Sequence, residues 1–298
     1  MKILLFGKGG QVGWELQRSL ACLGDIVALD WDSQDLHADF TRPEGLAATV
    51  QAVRPDVIVN AAAYTAVDKA ESEPELARTV NATAPAVLAQ EAARLGSTLI
   101  HYSTDYVFDG SGDTARREDA PTGPLSVYGR TKLEGEDLIR DSGCAHVILR
   151  TSWVYAARGA NFIRTMLRLA AERDQLKVID DQVGAPTGAD LLADLSAHIL
   201  RTMQTASGLD GTYHAVAGGE TSWYEYARFV IERARVLGYP IKVALENIEP
   251  IPTIGYPTPA TRPLNSRLAT EKLREAFGLA LPPWEIGVER MLMEVQDR

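Results

Sequence analysis

The most informative stretch of this sequence is Lys2-Ile-Leu-Leu-Phe-Gly-Lys-Gly-Gly-Gln-Val-Gly13. Its apolar run ends at Gly7 and is typical of a strand buried on both faces in a parallel sheet. Gly7, Gly10 and Gly13 then precede an amphipathic stretch at residues 14–23. A glycine-rich turn between strand and helix lets backbone N–H groups approach a pyrophosphate at the helix N-terminus. The turn therefore predicts a dinucleotide site, although the same glycines can also serve only the dihedral angles of the turn.

The first half of the chain repeats this alternation of strand and helix. Apolar runs and helical patterns follow one another at residues 25–30, 43–53, 56–60, 75–95, 98–102, 126–140 and 146–150. Such alternation is the signature of a doubly wound parallel sheet, so we expect an α/β fold of the Rossmann type. Pro85 should kink or split the pattern at 75–95, because proline removes a helical N–H group.

The rhythm loosens from about residue 151, and prolines cluster between Pro240 and Pro263. We therefore expect a dinucleotide-binding domain over residues 1–150 and a smaller, less regular, mainly substrate-binding part over 151–298. Some segments of this second part can return to the sheet. The second part should close the cleft at the carboxyl ends of the strands.

Composition narrows the class of partner. The 298 residues include 30 Lys and Arg against 40 Asp and Glu, a net charge of −10. This balance argues against nucleic acid or an anionic membrane as a partner, because binding phosphates needs clustered cations. No apolar run approaches a membrane span, and a strand starting at Lys2 leaves no room for a targeting segment. Cys22 and Cys144 suit free thiols, so we expect a cytoplasmic protein.

Asp30 strengthens the dinucleotide prediction. It ends the second apolar run, about 20 residues beyond the turn, where an acid can bind the ribose 2′-hydroxyl. The alternative is a solvated acid at a strand end. A carboxylate there should repel the 2′-phosphate of NADP, so we expect NADH to bind at least as well as NADPH.

Tyr128 and Lys132 form a candidate catalytic pair. Four residues apart on a predicted helix, they share one face, where an ammonium should lower the pKa of the phenol. Such a tyrosine can exchange a proton with a carbonyl while a cofactor carries the hydride. Ser103 and Thr104 follow a strand, where a hydroxyl can bind the reacting oxygen, and position alone does not choose between them. Both patterns have plainer alternatives, an exposed helical pair and a turn that serves only the backbone.

These motifs together resemble the extended short-chain dehydrogenases/reductases. Longer stretches narrow the resemblance to the dTDP-4-dehydrorhamnose reductase family, and it covers nearly the whole chain. They are Asn60-Ala-Ala-Ala-Tyr-Thr-Ala-Val-Asp-Lys-Ala-Glu71, Tyr102-Ser-Thr-Asp-Tyr-Val-Phe-Asp-Gly110, Asp181-Gln-Val-Gly-Ala-Pro-Thr187 and Arg262-Pro-Leu-Asn-Ser-Arg-Leu268. The resemblance implies that NADH or NADPH reduces the C4 ketone of dTDP-4-dehydro-L-rhamnose, a nucleotide-sugar substrate. Gly9 stands where the family more often carries a small hydroxyl residue, a departure from which we expect little effect.

The resemblance also implies roles for individual residues. Thr104, Tyr128 and Lys132 take the catalytic positions, with Tyr128 as the proton donor. The substrate-side positions are Thr104, Asp105, Tyr106 and Trp153. The remaining positions are on the cofactor side and include Gly7 of the glycine turn. They are Gly7, Gly10, Gln11, Val12, Asp30, Asp39, Phe40, Ala63, Tyr64, Thr65, Tyr128 and Lys132.

Some family members bind Mg²⁺ through carboxylates on three helices, and a homodimer is then an option. Glu15, Asp190 and Glu294 fall at the apparent equivalents. Three solvated helix-surface acids are the plainer alternative for this set. If a metal binds there, it should lie at a dimer contact.

Two other functions fit part of the pattern. The first is an epimerase or dehydratase of the same superfamily, which would retain its cofactor instead of consuming it. The second is a non-catalytic partner resembling the regulatory subunit of methionine adenosyltransferase. The joint presence of Thr104, Tyr128 and Lys132 disfavours the second.

Overall fold

The computed structural model describes residues 1–296, and its elements follow the alternation expected from the sequence. The strands are β1 Lys2–Phe6, β2 Asp25–Leu29, β3 Val57–Asn60, β4 Thr98–Thr104, β5 His146–Thr151, β6 Val154–Tyr155, β7 Leu176–Ile179, β8 Val183–Gly184, β9 Thr187–Gly188, β10 Gly211–His214, β11 Thr221–Ser222 and β12 Ile248–Ile251. The helices are α1 Gln11–Leu20, α2 Leu46–Val53, α3 Val67–Ala70, α4 Pro74–Arg78, α5 Ala84–Leu95, α6 Val127–Asp141, α7 Phe162–Glu172, α8 Ala189–Met203, α9 Trp223–Val236, α10 Glu271–Phe277 and α11 Trp284–Gln296.

Six parallel strands form the central sheet in the order β10-β5-β4-β3-β1-β2. β1 lies between β2 and β3, and the strand order reverses there. In doubly wound sheets the crevice at the carboxyl ends of the strands beside such a reversal is the ligand site. The expected α/β fold with a doubly wound parallel sheet is confirmed.

β1 shows why its sequence is apolar throughout. Ile3 and Leu5 pack with residues of α1 and α8 on one face of the sheet. Leu4 and Phe6 pack with residues of α2 and α5 on the other face. All four side chains are fully buried, because helices cover both faces of the strand.

The pattern at residues 75–95 is split, as Pro85 predicts. α4 is followed by a π-helical turn, Thr79–Thr83, and only then by α5. Pro85 lies in the first turn of α5, directly after the π-helical turn, where the regular α-helical hydrogen-bond pattern is already interrupted. α1 begins at Gln11, earlier than the pattern at 14–23 suggests, because Gly10 adopts the extended conformation of an N-cap.

The part beyond residue 151 contributes to the sheet and also builds a core of its own. β10 pairs with β5 at the sheet edge, and α8 packs against α1. The sheet therefore draws strands from both sides of the expected boundary at residue 150. A second core forms around Tyr155, Tyr226 and Trp284, between α7, α9 and α11. Within residues 1–296, no helix combines the length and the apolar character that crossing a bilayer requires.

Candidate active site

The glycine turn brings β1, the loop after β3 and the start of α1 into close contact. Gly7 has a φ of +86°, and a Cβ there would lie 2.8 Å from the backbone of Ala61 and Ala62. A Cβ on Gly13 would lie 1.9 Å from the Gly7 carbonyl oxygen. Only glycine allows this packing of α1 on the turn. Because Gly10 has no side chain, it leaves the N–H groups of the first turn of α1 open to an anion.

Asp30 is attached directly to this turn. Its Oδ2 accepts a hydrogen bond from the Gly9 N–H at 2.8 Å, and its Oδ1 accepts one from the Trp31 N–H at 3.0 Å. A Cβ on Gly9 would lie 2.4 Å from Oδ2, so a side chain there would displace the carboxylate. The absence of a side chain at Gly9 therefore allows Asp30 to take this position.

The other residues expected on the cofactor side lie near the glycine turn, in the loops that follow β2 and β3 and at the start of α1. Asp39 accepts hydrogen bonds from Thr41 and Arg42, and Phe40 packs edge-on against Phe6 at 5.5 Å. Tyr64 is held on both sides, because its backbone pairs with the Asn81 amide and its hydroxyl donates to Glu73. Four more positions complete this group. Ala63 and Thr65 flank Tyr64, Gln11 accepts a hydrogen bond from Asn161 at 3.1 Å, and Val12 packs against the core beneath α1.

The end of β4 and the start of α6 meet at a catalytic corner, which we define as Thr104, Asp105, Tyr106, Tyr128 and Lys132. Thr104 ends β4, and the 3₁₀ turn Asp105–Val107 follows it. The rings of Tyr106 and Tyr128 pack edge to face, with centroids 5.5 Å apart. The structure therefore brings together the residues that the sequence placed on separate elements.

Two local features fix α6 against this corner. The Ser126 hydroxyl caps the helix by accepting the Gly129 N–H at 3.2 Å. A Cβ on Gly129 would lie 2.3 Å from the Tyr106 carbonyl oxygen, so glycine is needed for the close approach. Tyr128 consequently lies in the first turn of α6, beside the end of β4.

The structure distinguishes the two candidate hydroxyls. Ser103 donates to the buried Glu136 carboxylate at 2.5 Å, so its hydroxyl is turned toward the core. The Thr104 hydroxyl instead donates to Asp105 Oδ1 at 3.0 Å and accepts the Tyr106 N–H at 3.2 Å. Its hydrogen bond with Tyr128 also moderates the pKa of that phenol. Thr104, and not Ser103, is therefore the hydroxyl beside the candidate proton donor.

Burial dominates the pKa of Tyr128. It raises that pKa to about 12, against the opposing hydrogen bond from Thr104 and together with the charge of Asp105. The expectation that Lys132 lowers the pKa of this phenol is therefore not met in this structure. The Lys132 amine instead donates to the Tyr102 carbonyl oxygen at 2.6 Å and lies 3.2 Å from His101 Nε2. Desolvation lowers the pKa of Lys132 to about 8, although the charge of Glu136 opposes this shift.

Asp105 is a buried carboxyl with an incomplete set of partners. Its side chain is 2% exposed, and within the described residues Oδ2 accepts no hydrogen bond that meets normal geometry. Burial raises the pKa of Asp105 to about 6, while interactions with the Ser266 and Thr104 hydroxyls partly offset that rise. A buried, poorly satisfied acid in a cleft is typical of a ligand-binding position.

Trp153 lies beyond the end of β5 in a strained conformation. Its φ of +50° is unusual for a bulky side chain. Its ring stacks on Trp223 with centroids 3.7 Å apart. A Cβ on Gly184 would come within 3.0 Å of that ring. The sequence did not single out Trp223, because only the packing of α9 brings it under Trp153.

His101 was also missed by the sequence analysis. It is a buried polar residue within the otherwise apolar run at 98–102, and that contrast was the available signal. Its partner Asn60 ends β3, directly beside it in the sheet.

The three acids expected to bind Mg²⁺ do not form a metal centre. Glu15, Asp190 and Glu294 line one cavity of about 30 Å³, but Arg290 lines it too and pairs with Asp190 at 3.4 Å. Glu15 pairs with Arg18 at 3.5 Å. Across residues 1–296, no three metal-ligating side chains are arranged to hold an ion. The Mg²⁺ prediction is not supported, because guanidinium groups already neutralise two of the acids.

Comparison with known proteins covers the whole chain. The model of the RmlD substrate binding domain matches residues 1–297. The dTDP-4-dehydrorhamnose reductase of Escherichia coli (strain K12) is 57% identical over 295 residues, which are 99% of this chain and 98% of that protein. The crystal structure of a dTDP-4-dehydrorhamnose reductase from Clostridium acetobutylicum is 35% identical with a TM-score of 0.89, covering 99% of this chain and 100% of that chain. The reductase of Bacillus anthracis, solved in complex with NADP, is 34% identical with a TM-score of 0.87, covering 98% of this chain and 99% of that chain.

Proposed function

The chain belongs to the RmlD family of dTDP-4-dehydrorhamnose reductases, and we propose that it reduces the C4 ketone of dTDP-4-dehydro-L-rhamnose to give dTDP-L-rhamnose. The identity of 57% to the Escherichia coli reductase over nearly the full length supports this substrate. The observation that carries the proposal is the placement of Thr104, at the end of β4, beside Tyr128 in the first turn of α6, at the carboxyl edge of the sheet. That edge also carries the glycine turn and Asp30.

We propose that residues 1–150 mainly hold the dinucleotide and that residues after 151 mainly hold the sugar nucleotide. The first turn of α1, from Gln11 and Val12, offers N–H groups to the pyrophosphate. Asp30 lies at the end of β2 and receives the adenosine ribose. The loops that carry Asp39 and Phe40 and residues 63–65 complete the cofactor side. The NADP complex of the Bacillus anthracis relative supports this cofactor class, and we include NADH because a carboxylate at position 30 disfavours a 2′-phosphate.

Tyr128 acts as the proton donor in this proposal. When bound, the reduced nicotinamide supplies a hydride to C4 of the sugar. A phenol with a pKa of about 12 stays protonated at neutral pH, so Tyr128 is available as an acid. Its O–H bond breaks as the proton moves to the C4 oxygen, and the electron pair stays on the phenolate. Thr104 donates a hydrogen bond that orients the same oxygen.

Lys132 and the substrate-side residues complete the site. The ammonium form of Lys132 stabilises the phenolate left on Tyr128 and can hydrogen-bond the nicotinamide ribose, one turn along α6. Asp105 and Tyr106 follow Thr104 directly and face the sugar, while Trp153 offers its ring to the sugar or base. The unpartnered Oδ2 of Asp105 supports its role as an acceptor for a sugar hydroxyl, since no described residue donates to it with normal geometry.

The test is an oxidation assay of NADPH and NADH with dTDP-4-dehydro-L-rhamnose, run beside its UDP and GDP counterparts. We expect stoichiometric loss of reduced nicotinamide with the dTDP substrate and formation of the 4-hydroxyl product. Turnover of a nucleotide sugar without net cofactor consumption would identify an epimerase or dehydratase instead. The absence of turnover with all three substrates would leave a binding role for the chain.

A further inference from the structure

Three buried polar side chains contact one another in succession and end at Lys132. Asn60 ends β3, His101 lies beside it on β4, and Lys132 approaches from α6. The Asn60 amide nitrogen lies 3.0 Å from His101 Nδ1, and His101 Nε2 lies 3.2 Å from the Lys132 amine. All three side chains are at most 2% exposed, so each polar atom depends on its protein partners.

The backbone decides which way protons point along this succession of contacts. The Ala62 N–H donates to Asn60 Oδ1 at 3.0 Å, and a backbone N–H can only donate. The other end of the amide is therefore the NH₂ group, which donates to His101 Nδ1. A neutral imidazole carries one proton, so that proton lies on Nε2. His101 consequently presents an N–H group to Lys132.

An ammonium cannot accept a hydrogen bond, whereas a neutral amine can. We propose that His101, kept in its Nε2–H tautomer by Asn60, is a positioning residue that donates to the neutral amine of Lys132 and thereby governs when Lys132 carries a proton. The inference rests on the proposed function for its effect on catalysis, but the tautomer itself does not depend on that function. Protonation of Lys132 turns the contact with His101 into one between two donors. The ammonium then favours Tyr102, Tyr128 or the cofactor over the imidazole.

The charges around Lys132 agree with this arrangement. Burial lowers the pKa of His101 well below 6.5, so the ring stays neutral, and burial also lowers the pKa of Lys132 to about 8. Glu136, one turn along α6, opposes the shift of Lys132, but its carboxylate is already shared by Arg150, Arg140 and Ser103. Other titratable groups packed on or around α6 are Glu71 at the Val127 N–H, Glu134 paired with Arg78, Asp137 paired with Arg140, Asp105 beside Thr104, and Tyr128 with Tyr106 on its ring.

The consequence is a defined pH dependence. As the pH rises through about 8, Lys132 loses its proton and the amine accepts the Nε2–H of His101. The form that stabilises the Tyr128 phenolate disappears, so kcat/KM should fall on the alkaline side. A change that removes the N–H group facing Lys132 should move that fall to higher pH.

The tautomer can be measured without any substrate. Long-range ¹H–¹⁵N spectra of the full chain distinguish Nε2–H from Nδ1–H imidazoles, and comparison with His101→Gln assigns the His101 signals. We expect the Nε2–H form at alkaline pH, with a shift that follows the titration of Lys132. The Asn60→Asp variant accepts from both Ala62 and His101, so it should convert His101 to the Nδ1–H tautomer. An Nδ1–H tautomer in the unmodified protein would overturn the inference, whether or not the chain is a reductase.

The kinetic arm uses the same two variants. Asn60→Asp should move the alkaline fall of kcat/KM upward by about one pH unit, because an imidazole acceptor then faces the ammonium. His101→Gln should leave the fall nearly unchanged, because the Asn60 amide selects the Gln oxygen and an amide N–H still faces Lys132. His198→Gln, on the exposed face of α8, is the matched control and should leave the profile unchanged. An Asn60→Asp variant that folds and turns over but keeps the original alkaline limb would show that His101 does not govern Lys132. An inactive unmodified chain with the Nε2–H tautomer would fault the proposed function and keep the hydrogen-bond assignment.

Discussion

The glycine turn and the catalytic corner lie at the same edge of the sheet, but they satisfy their polar groups in opposite ways. In the turn, both oxygens of Asp30 accept backbone N–H groups of the chain itself. In the corner, Asp105 buries an oxygen that no donor in residues 1–296 reaches with normal geometry. Tyr128, Asp105 and Lys132 all have pKa values shifted mainly by burial.

This difference suits the glycine turn to cofactor binding and the catalytic corner to the reaction. A turn that is complete in itself offers a preformed cradle, so a cofactor has little to reorganise. A corner that buries polar groups with shifted pKa values is less stable than it would be with apolar residues. A ligand that supplies the missing hydrogen-bond partners reduces this cost. Substitutions in the corner should therefore change rate and stability, whereas those in the turn should change cofactor affinity.

The largest expected effect is the loss of rate in Tyr128→Phe. Removing the phenol removes the proton source, so kcat at saturating NADPH and substrate should fall by ~10²–10⁴-fold. Cofactor affinity, measured by fluorescence titration, should change little because Asp30 and the glycine turn remain. Tyr102→Phe is the matched control: its hydroxyl bonds Ser196, away from the corner, and kcat should persist. If Tyr128→Phe kept most of its kcat, the catalytic corner would not supply the proton and the proposed division of roles between turn and corner would be wrong.

The second effect is a gain in stability in Asp105→Asn. The rise in the pKa of Asp105 from 3.8 to about 6 means that the folded state binds the proton more tightly than the unfolded state. Stability therefore declines as the pH rises from about 4 to 6, by up to about 3 kcal/mol. A neutral amide avoids this loss, so the variant should have a higher free energy of unfolding at pH ~7.5. The gain should shrink as the pH falls toward 4.

Urea unfolding of both proteins at several pH values measures this gain, and the assay of the same samples should show poorer substrate binding. An equal difference in stability at every pH would mean that ionisation of Asp105 is not responsible.

A smaller effect is expected at the turn. Asp30→Ala removes a charged acceptor worth roughly 1.5–3 kcal/mol, so the Kd for NADH should rise by about 10- to 100-fold. NADPH should lose less affinity, because the repulsion of its 2′-phosphate is relieved at the same time. Gly9→Ala sharpens the comparison: it keeps the carboxylate but displaces it, and should shift preference the same way to a lesser degree. Equal losses for both cofactors would move Asp30 away from the 2′ position.

The smallest expected effect is that of a chelator. Arg290 and Arg18 already pair with two of the three acids near α11, and in the proposed mechanism Tyr128 supplies the proton. Treatment with EDTA should therefore leave kcat unchanged, with the size of the particle followed by gel filtration. Turnover that is lost with EDTA and restored by Mg²⁺ would place a metal in the reaction after all.

The sequence predicted features that lie within one short segment better than features that depend on contacts between distant segments. The sequence alone indicated three such features, because each lies within one short segment: the glycine turn from Gly7 to Gly13, the apolar run of β1, and the spacing of Tyr128 and Lys132. The direction of the Lys132 amine was not, because it depends on His101 and Tyr102 across the helix–sheet interface. Side-chain direction across an interface follows packing and burial, which spacing along one helix does not report.

The same limit applies to the outer parts of the site. Arg290 reaches Asp190 only through the packing of α11 beside α8, and Trp223 reaches Trp153 only through α9. The resemblance predicted the corner residues as a site, and the structure brings them together at the end of β4 and the start of α6. The pKa of Tyr128 is raised there and not lowered as expected, because burial dominates it.

The return of β10 to the sheet has a consequence for synthesis on the ribosome. β5 has an open edge until Gly211–His214 has been made, and α1 lacks its neighbour α8 until residue 203, for most of that interval. At roughly 5–20 residues per second, that edge stays unpaired for several seconds after Thr151 is added. An unpaired strand edge is a template for association with other chains. A nascent chain of this protein is therefore most exposed to aggregation after its dinucleotide half is complete and before β10 arrives, which is the interval in which a chaperone would protect it.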